Sequence, residues 1–500
     1  MGQGPLAEAP ERLLMSIVRR SLGFAFLERY LLIGLQLVSF TMLARLLTPQ
    51  QVGLYSVSMA LISMAQVVRD FGLANYLIQR KELGKEDIGS ALGVSLLLGG
   101  SLFVGINAAA PWIGAFYKDD HLVGIVRVIS LNFLVLPFNS ISIALLRRDM
   151  RFDRLMRVNV AAAVVGTCTT LSLAWAGVGS ASLAWGEIAS STTIALGVSL
   201  SGAWGRLTRP QLRRWKEIVH FGGPVTAANV VTSVSMDIND LAVGKLLDFT
   251  QVAIASRAQG LMNLFNRDIM GTVRSVAYPA YAHAHRDGGS LEQRYVQSVG
   301  AVTAIGWPFY GFVALFSLEV LRLMFGPQWD AAAPLVPIYC LAGAFSAINS
   351  LVPTVMLAAG NSKLVALADL IIQPVKAVLL VGVLWHWRAL EPLALGFLAM
   401  AVVAVPYFYA FKQRCLPSDF RALAHTLSRN LLLTAICLLP SAAVAWWLRP
   451  AGSAMPLSIW LGCAALTALL WLAGLRMLGH PLHAEIQNML RRRGSPETAS

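Results

Sequence analysis

Apolar residues run along this 500-residue chain in unbroken stretches of about 20, the length an α-helix needs to cross the ~30 Å hydrocarbon core of a bilayer. Bounded by turn and charge signals, these stretches predict fourteen membrane-spanning helices. The first seven lie near residues 23–44, 52–72, 88–110, 122–146, 158–177, 181–204 and 218–246. The second seven lie near 251–282, 298–324, 333–358, 364–385, 391–411, 430–448 and 456–477. Span eight is the least hydrophobic, because it carries three arginines. No ten-residue segment alternates apolar and polar positions with period two, which argues against an outer-membrane barrel. The expected fold is all-α and polytopic.

Composition agrees, with 56% of residues hydrophobic, 13% charged and a mean hydropathy of +0.62; a soluble chain carries about twice that charge. The position of the charge adds a topology. Of the 40 lysines and arginines, 27 fall in the N-terminus, the even-numbered loops and the C-terminus, and 5 in the odd-numbered loops. The positive-inside rule therefore puts both termini in the cytoplasm. The net charge of +14 then reports topology and needs no nucleic-acid partner. The first apolar run follows Arg19 and Arg20 and continues into a full span, so no cleavable signal is expected. Residues 11–20 suit a short helix on the inner membrane surface, and 491–500 a disordered polar tail. Five scattered cysteines without a CxxC predict neither disulfides nor structural zinc.

The segment after span one, ARLLTPQQVGLYS (44–56), aligns without gaps to the segment after span seven, GKLLDFTQVAIAS (244–256). Leu46/Leu246, Leu47/Leu247, Gln51/Gln251, Val52/Val252 and Ser56/Ser256 are identical. The placement implies two six-helix bundles of like orientation, a transporter architecture with the substrate path between repeats. The expected domains are 1–217 (spans 1–6), 218–411 (spans 7–12), 412–490 (spans 13–14) and the tail 491–500.

The run ARLLTPQQVGLYSVSMALISMAQVVRDFGLANYLIQRKEL from Ala44 resembles the first helical hairpin of Wzx-type polysaccharide-unit flippases, of the multidrug/oligosaccharidyl-lipid/polysaccharide exporter superfamily. LLRRDMRFDRLMRV (145–158) is similar to that family's cytoplasmic loop, and residues 237–282 to its seventh and eighth helices. The resemblance implies a MATE-like, V-shaped pair of bundles around a central cationic cavity, with two extra C-terminal helices. It also implies a substrate, an undecaprenyl-diphosphate-linked oligosaccharide, moved from the cytoplasmic to the periplasmic leaflet of the inner membrane. The product would feed exopolysaccharide, capsule or O-antigen (lipopolysaccharide) synthesis, with the polysaccharide polymerase machinery and membrane lipids as candidate partners.

The chain has no P-loop, no GxSxG and no metal-spaced His/Cys cluster, so neither enzyme chemistry, a cofactor nor a metal is expected. His283 and His285 read as a loop pair. Energy would come from an ion or substrate gradient, with H+ and Na+ as the candidate coupling ions. Candidate chemistry then rests on ionisable groups within spans, each costing about 2.5–3.5 kcal/mol at a helix centre on insertion scales. Eight basic residues lie there or at span edges: Arg29, Arg69, Arg127, Arg257, Arg267, Arg274, Arg322 and Lys376. A diphosphate calls for several, preferably bidentate, cations, which makes Arg29, Arg257, Arg267 and Arg274 the substrate-binding candidates. In a continuous α-helix Arg267 and Arg274 share a face about 20° out of register, with Arg257 within about 100° of that stripe. Glu28 beside Arg29 makes an acid–arginine pair which, facing span eight, would resemble the lipid II flippases of the superfamily. The competing reading of each arginine is snorkelling or helix pairing, and it weighs most for Arg322 and Lys376.

Among the acids, Asn229, Ser233, Asp237 and Asp240 form a polar stripe on span seven at spacings of 4, 4 and 3, which must face a cavity or another helix. Asp237, Asp240, Glu28 and Asp70 are ion-coupling or structural candidates, and Glu187 a weaker one. Arg69–Asp70 reads first as a helix-end ion pair, and Asp268 as the partner of Arg267. Pro137, Pro224, Pro308, Pro353, Pro374 and Pro406 predict kinks. Rival readings are a multidrug/cation antiporter, a lipid II flippase and a membrane-embedded glycosyltransferase. The third is disfavoured because no periplasmic loop exceeds about a dozen residues.

Overall fold

A computed structural model of the chain describes residues 27–28, 30–36, 38–80, 83–200, 208–448, 454–484 and 487. The helix expected over 11–20, Arg29 and the tail 491–500 lie outside these residues. There is no strand among the described residues, and every expected span meets a helical segment. Span one is α1 (Tyr30–Leu46). Span two is α2 (Pro49–Asp70), followed by the short α3 (Leu73–Gln79), and span three is α4 (Lys85–Tyr117). Span four is broken at Leu131 into α5 (Asp120–Ser130) and α6 (Asn132–Arg148). Spans five to seven are α7 (Phe152–Trp175), α8 (Ala181–Leu200) and α9 (Trp215–Leu246).

Span eight comprises α10 (Phe249–Asn263), a π-helical turn (Leu264–Ile269) and α11 (Met270–Arg286). Then come α12 (Leu291–Leu315), α13 (Ser317–Met324) and a 3₁₀ turn (Pro327–Ala332). Span ten is α14 (Val336–Asn349) and α15 (Val352–Ala358), because Pro353 opens a new helix after a break at Ser350 and Leu351. The last four are α16 (Ser362–Trp387), α17 (Leu390–Gln413), α18 (Phe420–Leu448) and α19 (Leu457–Met477). Among the described residues, ten spans are long and apolar enough to cross a membrane by length and composition. The other four are the short α1 and the more polar α8, α9 and α10–α11.

The internal repeat has a physical content that the structure makes visible: both copies are helix starts. Thr48 Oγ1 accepts from the Gln51 amide at 3.3 Å while Gln51 Oε1 accepts from the Thr48 amide at 3.1 Å, a capping box completed by Pro49 at the first helical position. In the second copy Asp248 Oδ1 accepts from the Gln251 amide at 2.8 Å. The two starts also touch. A Cβ on Gly53 would stand 1.6 Å from the Phe249 carbonyl oxygen, so only glycine allows this approach.

The chain divides into two compact units, 1–253 and 254–500, with the division inside α10. In the first unit α2 packs on α9 and α5, and α7 pairs with α8 as a hairpin. Span seven, placed in the second bundle by the expected boundary at 217/218, thus packs on span two. At the even-loop end, Leu73, Leu77, Ile88, Leu92, Leu145 and Ile218 join α3, α4, α6 and α9 in one apolar cluster. Ions cap it: Arg80 reaches Glu217 at 2.8 Å and buried Asp87 at 3.1 Å, and Arg214 reaches Asp87 at 3.2 Å. The hydrogen bond to Glu217 holds the Arg80 guanidinium above its usual pKa, and burial raises the neighbouring Tyr76 phenol. Arg148 Nη1 donates to the carbonyls of Leu77, Ile78 and Arg80 at 2.6–3.1 Å, satisfying the otherwise orphaned C-terminus of α3.

In the second unit α12 is central, flanked by α14 and α18, with α17 on α14 and α19 on α18. Asn430 of α18 donates to Gly300 O at 2.8 Å and Thr303 Oγ1 at 2.7 Å, polar pairs that suit helices packed in lipid. Lys412 is wholly buried, paired with Glu292 and donating to Ser418 Oγ at 2.9 Å. Of the eight exposed tryptophans among the described residues, seven lie at helix ends that lead into odd-numbered loops, and only Trp215 at an even-loop end. That is an interfacial aromatic belt, and it follows the alternation read from lysine and arginine.

Gly53→Ala is expected to lower the yield of folded protein from membranes and its thermal midpoint, since overpacking against backbone costs about 1–3 kcal/mol or more. Gly100→Ala, whose Cβ meets no heavy atom within 4 Å, should leave both unchanged in the same melting assay.

Candidate functional site

Within the first unit a cavity of about 330 Å³ opens between the end of α2 and the middle of α9. Val67, Asp70, Phe71 and Gly72 line it from the α2 side, and Thr226, Asn229, Ser233, Met236 and Asp237 from α9. The polar stripe predicted on span seven therefore turns three of its four residues to a cavity. Asp237 is held from both sides: Ser63 Oγ on α2 donates to it, and Ser233 Oγ one turn earlier donates at 3.1 Å. Asp240 follows three residues on, so two carboxylates share one face of a membrane helix.

The chain is turned sharply where α2 meets the cavity. Phe71 and Gly72 both take left-handed backbone conformations, with φ of 36° and 63°. Such a φ is strained for a bulky residue. It is held by contact with α9, where a Cβ on Gly222 would stand 2.1 Å from Phe71 O. Arg69 and Asp70, just before this turn, form an ion pair in which Arg69 is buried and Asp70 exposed. Thr226 is 8% exposed, and its hydroxyl has no hydrogen-bond partner among the described residues. Glu28 stands apart from this cluster: it accepts from Asn159 Nδ2 on α7 at 2.7 Å.

The basic candidates described are in the second unit, on span eight. Arg257 is 6% exposed, with its guanidinium 4.7 Å from the Trp329 ring centre and 5.4 Å from that of Phe325. Its charge is spread over two ring faces beside the 3₁₀ turn, which the Arg322–Asp330 pair braces at 2.6 Å. Arg274 Nη2 donates to Asn266 O at 2.8 Å, a carbonyl within the π turn. Arg267 lies in that turn and is exposed. The helical wheel that put Arg257, Arg267 and Arg274 on neighbouring faces presumed a continuous α-helix. The π turn interrupts that α-helix between Arg257 and Arg274, so the wheel's register does not carry across it. The side chain of Asp268 lies outside the described ones.

Several participants left little trace in sequence. Thr226 and Phe71 join the site only through the packing of α9 on α2; the Phe-Gly pair after Arg69–Asp70 was the one available turn signal. Lys412, counted among loop cations, is buried in an ion pair. Lys376, mid-span on α16, has its ammonium 3.8 Å from the Phe397 ring centre. No group of three or more His, Cys, Asp or Glu residues is placed to hold a metal among the described residues.

Comparison with known proteins now bears on this arrangement. The family model described as "Polysaccharide biosynthesis protein" matches residues 42–334, more than half of the chain. The chain is 25% identical over 334 residues to the lipopolysaccharide biosynthesis protein WzxC of Escherichia coli K12, covering 66% of this chain and 67% of that protein. It is 22% identical over 348 residues to the succinoglycan biosynthesis transport protein ExoT of Rhizobium meliloti, covering 67% and 68%. Among solved structures, the lipid II flippase MurJ in an inward closed conformation aligns with a TM-score of 0.72 at 13% identity, covering 92% of this chain and 99% of that one. That likeness shows a shared fold. With its helical spans and the match across both compact units, the chain belongs to the polysaccharide biosynthesis protein family of multi-pass membrane proteins.

Proposed function

We propose that the protein is a flippase that carries a polyprenyl-diphosphate-linked oligosaccharide, with undecaprenyl as the lipid, from the cytoplasmic to the periplasmic leaflet. The observation that carries this reading is the chemistry of span eight. It is a membrane segment that keeps arginine at 257, 267 and 274, with a π turn that exposes Arg267. Guanidinium groups bind diphosphate bidentately and hold their charge in a poorly solvated setting. The relatives named for lipopolysaccharide biosynthesis and succinoglycan transport support the sugar part of the substrate. Alternating access of two bundles, 1–217 and 218–411, moves the head group while the lipid tail stays in the bilayer. Arg267 and Arg274 meet the diphosphate, Arg29 adds a third cation, and Arg257 holds the 3₁₀ turn and its helix in place. Both termini face the cytoplasm, and the polymerase machinery receives the product. Asp237 and Asp240, an acid pair in a membrane helix, take up the coupling H+ or Na+.

Deletion of the protein should abolish surface polysaccharide and trap complete lipid-linked repeat units in the cytoplasmic leaflet. Arg267→Ala should reproduce this at normal protein level, and Arg267→Lys should retain partial export. Wild-type export by Arg267→Ala would overturn the assignment. Altered drug tolerance with normal polymer would favour an antiporter, and rescue of a strain depleted of its own lipid II flippase would favour that function. Asp237→Asn should keep the protein in the membrane but make export insensitive to collapse of the H+ or Na+ gradient. For orientation, a cysteine at Lys118 in a cysteine-free background should react with an impermeant thiol reagent in intact spheroplasts. A cysteine at Gly288 should react only after lysis.

A further inference from the structure

We propose that the α2–α9 cavity of the first unit is a saccharide subsite, taking an uncharged, hydroxyl-rich sugar residue of the translocated head group; this rests on the flippase reading above. Its volume of about 330 Å³ falls in the range of small-molecule sites, about 300–1,000 Å³, and is far larger than a bare ion fills. Its lining has the composition that sugars call for. Asp70 and Asp237 accept from hydroxyls, Asn229 donates and accepts, and Phe71, Val67 and Met236 offer an apolar face to a ring's C–H groups. No lysine or arginine is among the described residues that line the cavity; Asp70 is already tied to Arg69, and the carboxylate of Asp237 disfavours an anionic group such as a diphosphate or a uronic acid.

Thr226 is the independent pointer. The residue lines the cavity and is more than nine-tenths buried, and its hydroxyl lacks a hydrogen-bond partner among the described residues. A buried hydroxyl without a partner is costly, and a ligand hydroxyl in the cavity would satisfy it. The left-handed Phe71–Gly72 turn points the same way, because it is the feature that carries Phe71 to the cavity wall. The cavity also lies toward the α2 end that leads into the second, cytoplasmic loop. A sugar head group entering from the cytoplasm would meet it early, before the diphosphate is moved across.

The test is photo-crosslinking in living cells, with full-length protein expressed in the deletion strain that makes its own lipid-linked repeat units. Benzoylphenylalanine replaces Met236, which lines the cavity, and separately Leu469, which is exposed on α19. A glycan-bearing adduct is expected at Met236 and not at Leu469. Thr226→Val, which discards a hydroxyl with no partner to lose, should keep the protein level normal. In the Met236 background, Thr226→Val and Asn229→Ala should each lower adduct yield and export rate by about two- to ten-fold, one hydrogen bond's worth. If the probe at Met236 prevents accumulation, Val67 carries it from the facing helix. Adducts with phospholipid alone at both cavity positions, in cells whose export depends on the protein, would overturn the subsite and leave the flippase reading standing. Unchanged adduct yield in both variants would overturn it as well. Export that does not need the protein at all would overturn the flippase reading, and the subsite with it.

Discussion

Lipid offers no hydrogen bonds, and every other feature of this protein answers to that fact. Peptide groups must be satisfied within their own segment, which leaves helices as the unit of construction and makes each interruption costly. The interruptions are therefore informative. Leu131, Ser350–Leu351 and the π turn at Leu264–Ile269 break spans four, ten and eight. In the π turn the Asn266 carbonyl is taken by the Arg274 guanidinium. This contact ties a backbone carbonyl of the turn to an arginine that the proposed function needs. At α3, too short to span, the same problem is solved by Arg148, which collects three terminal carbonyls.

The same penalty governs side chains, and the candidate sites of the two units differ in sign. The first unit buries acid and hydroxyl groups on α9 against α2, with Arg69 tied to Asp70. The second carries arginine along span eight and supports it with aromatic rings and backbone oxygen. A substrate with a neutral sugar part and an anionic diphosphate part presents the matching pair of chemistries. The cavity on α9 and the arginines of span eight supply different parts of that chemistry, while the two copies of the repeat keep their helix starts and differ in their polar faces. Thr48 and Asp248 still cap the same position, while nothing on span two corresponds to Arg257 and Arg267.

Helix existence and order were legible because a 20-residue apolar run has few other meanings, and the lysine and arginine count checked the result. The family resemblance was legible at its strongest from Ala44 to Leu83, inside the matched 42–334. The polar stripe on span seven was legible too, since Asn229, Ser233 and Asp237 repeat with the helical period. What the sequence did not show was the π turn that interrupts the helical wheel of span eight. Propensity does not announce a π turn, because it is selected by tertiary contacts and not by its own residues. Thr226 was invisible for a related reason. A lone threonine in an apolar run resembles many that back-bond to their own helix, and nothing in the sequence marks this one as lacking a partner among the described residues.

The strain at Phe71 ties these strands together. An aromatic residue in the left-handed region costs of order 1–3 kcal/mol, and such conformations persist where surrounding structure over-determines them. Here the determinant is the Gly222 surface of α9, which admits the Phe71 backbone only because it lacks a Cβ. The turn therefore depends on α9 staying against α2. Any cycle that moves α9 away from α2 removes the support, lets Phe71 relax toward an ordinary conformation and dismantles the cavity wall it forms. In the proposed cycle, affinity at that wall would be coupled to helix position without a separate switch: a bound sugar would stabilise the packed arrangement, separation of the helices would release it, and one glycine and one strained phenylalanine would link holding to moving.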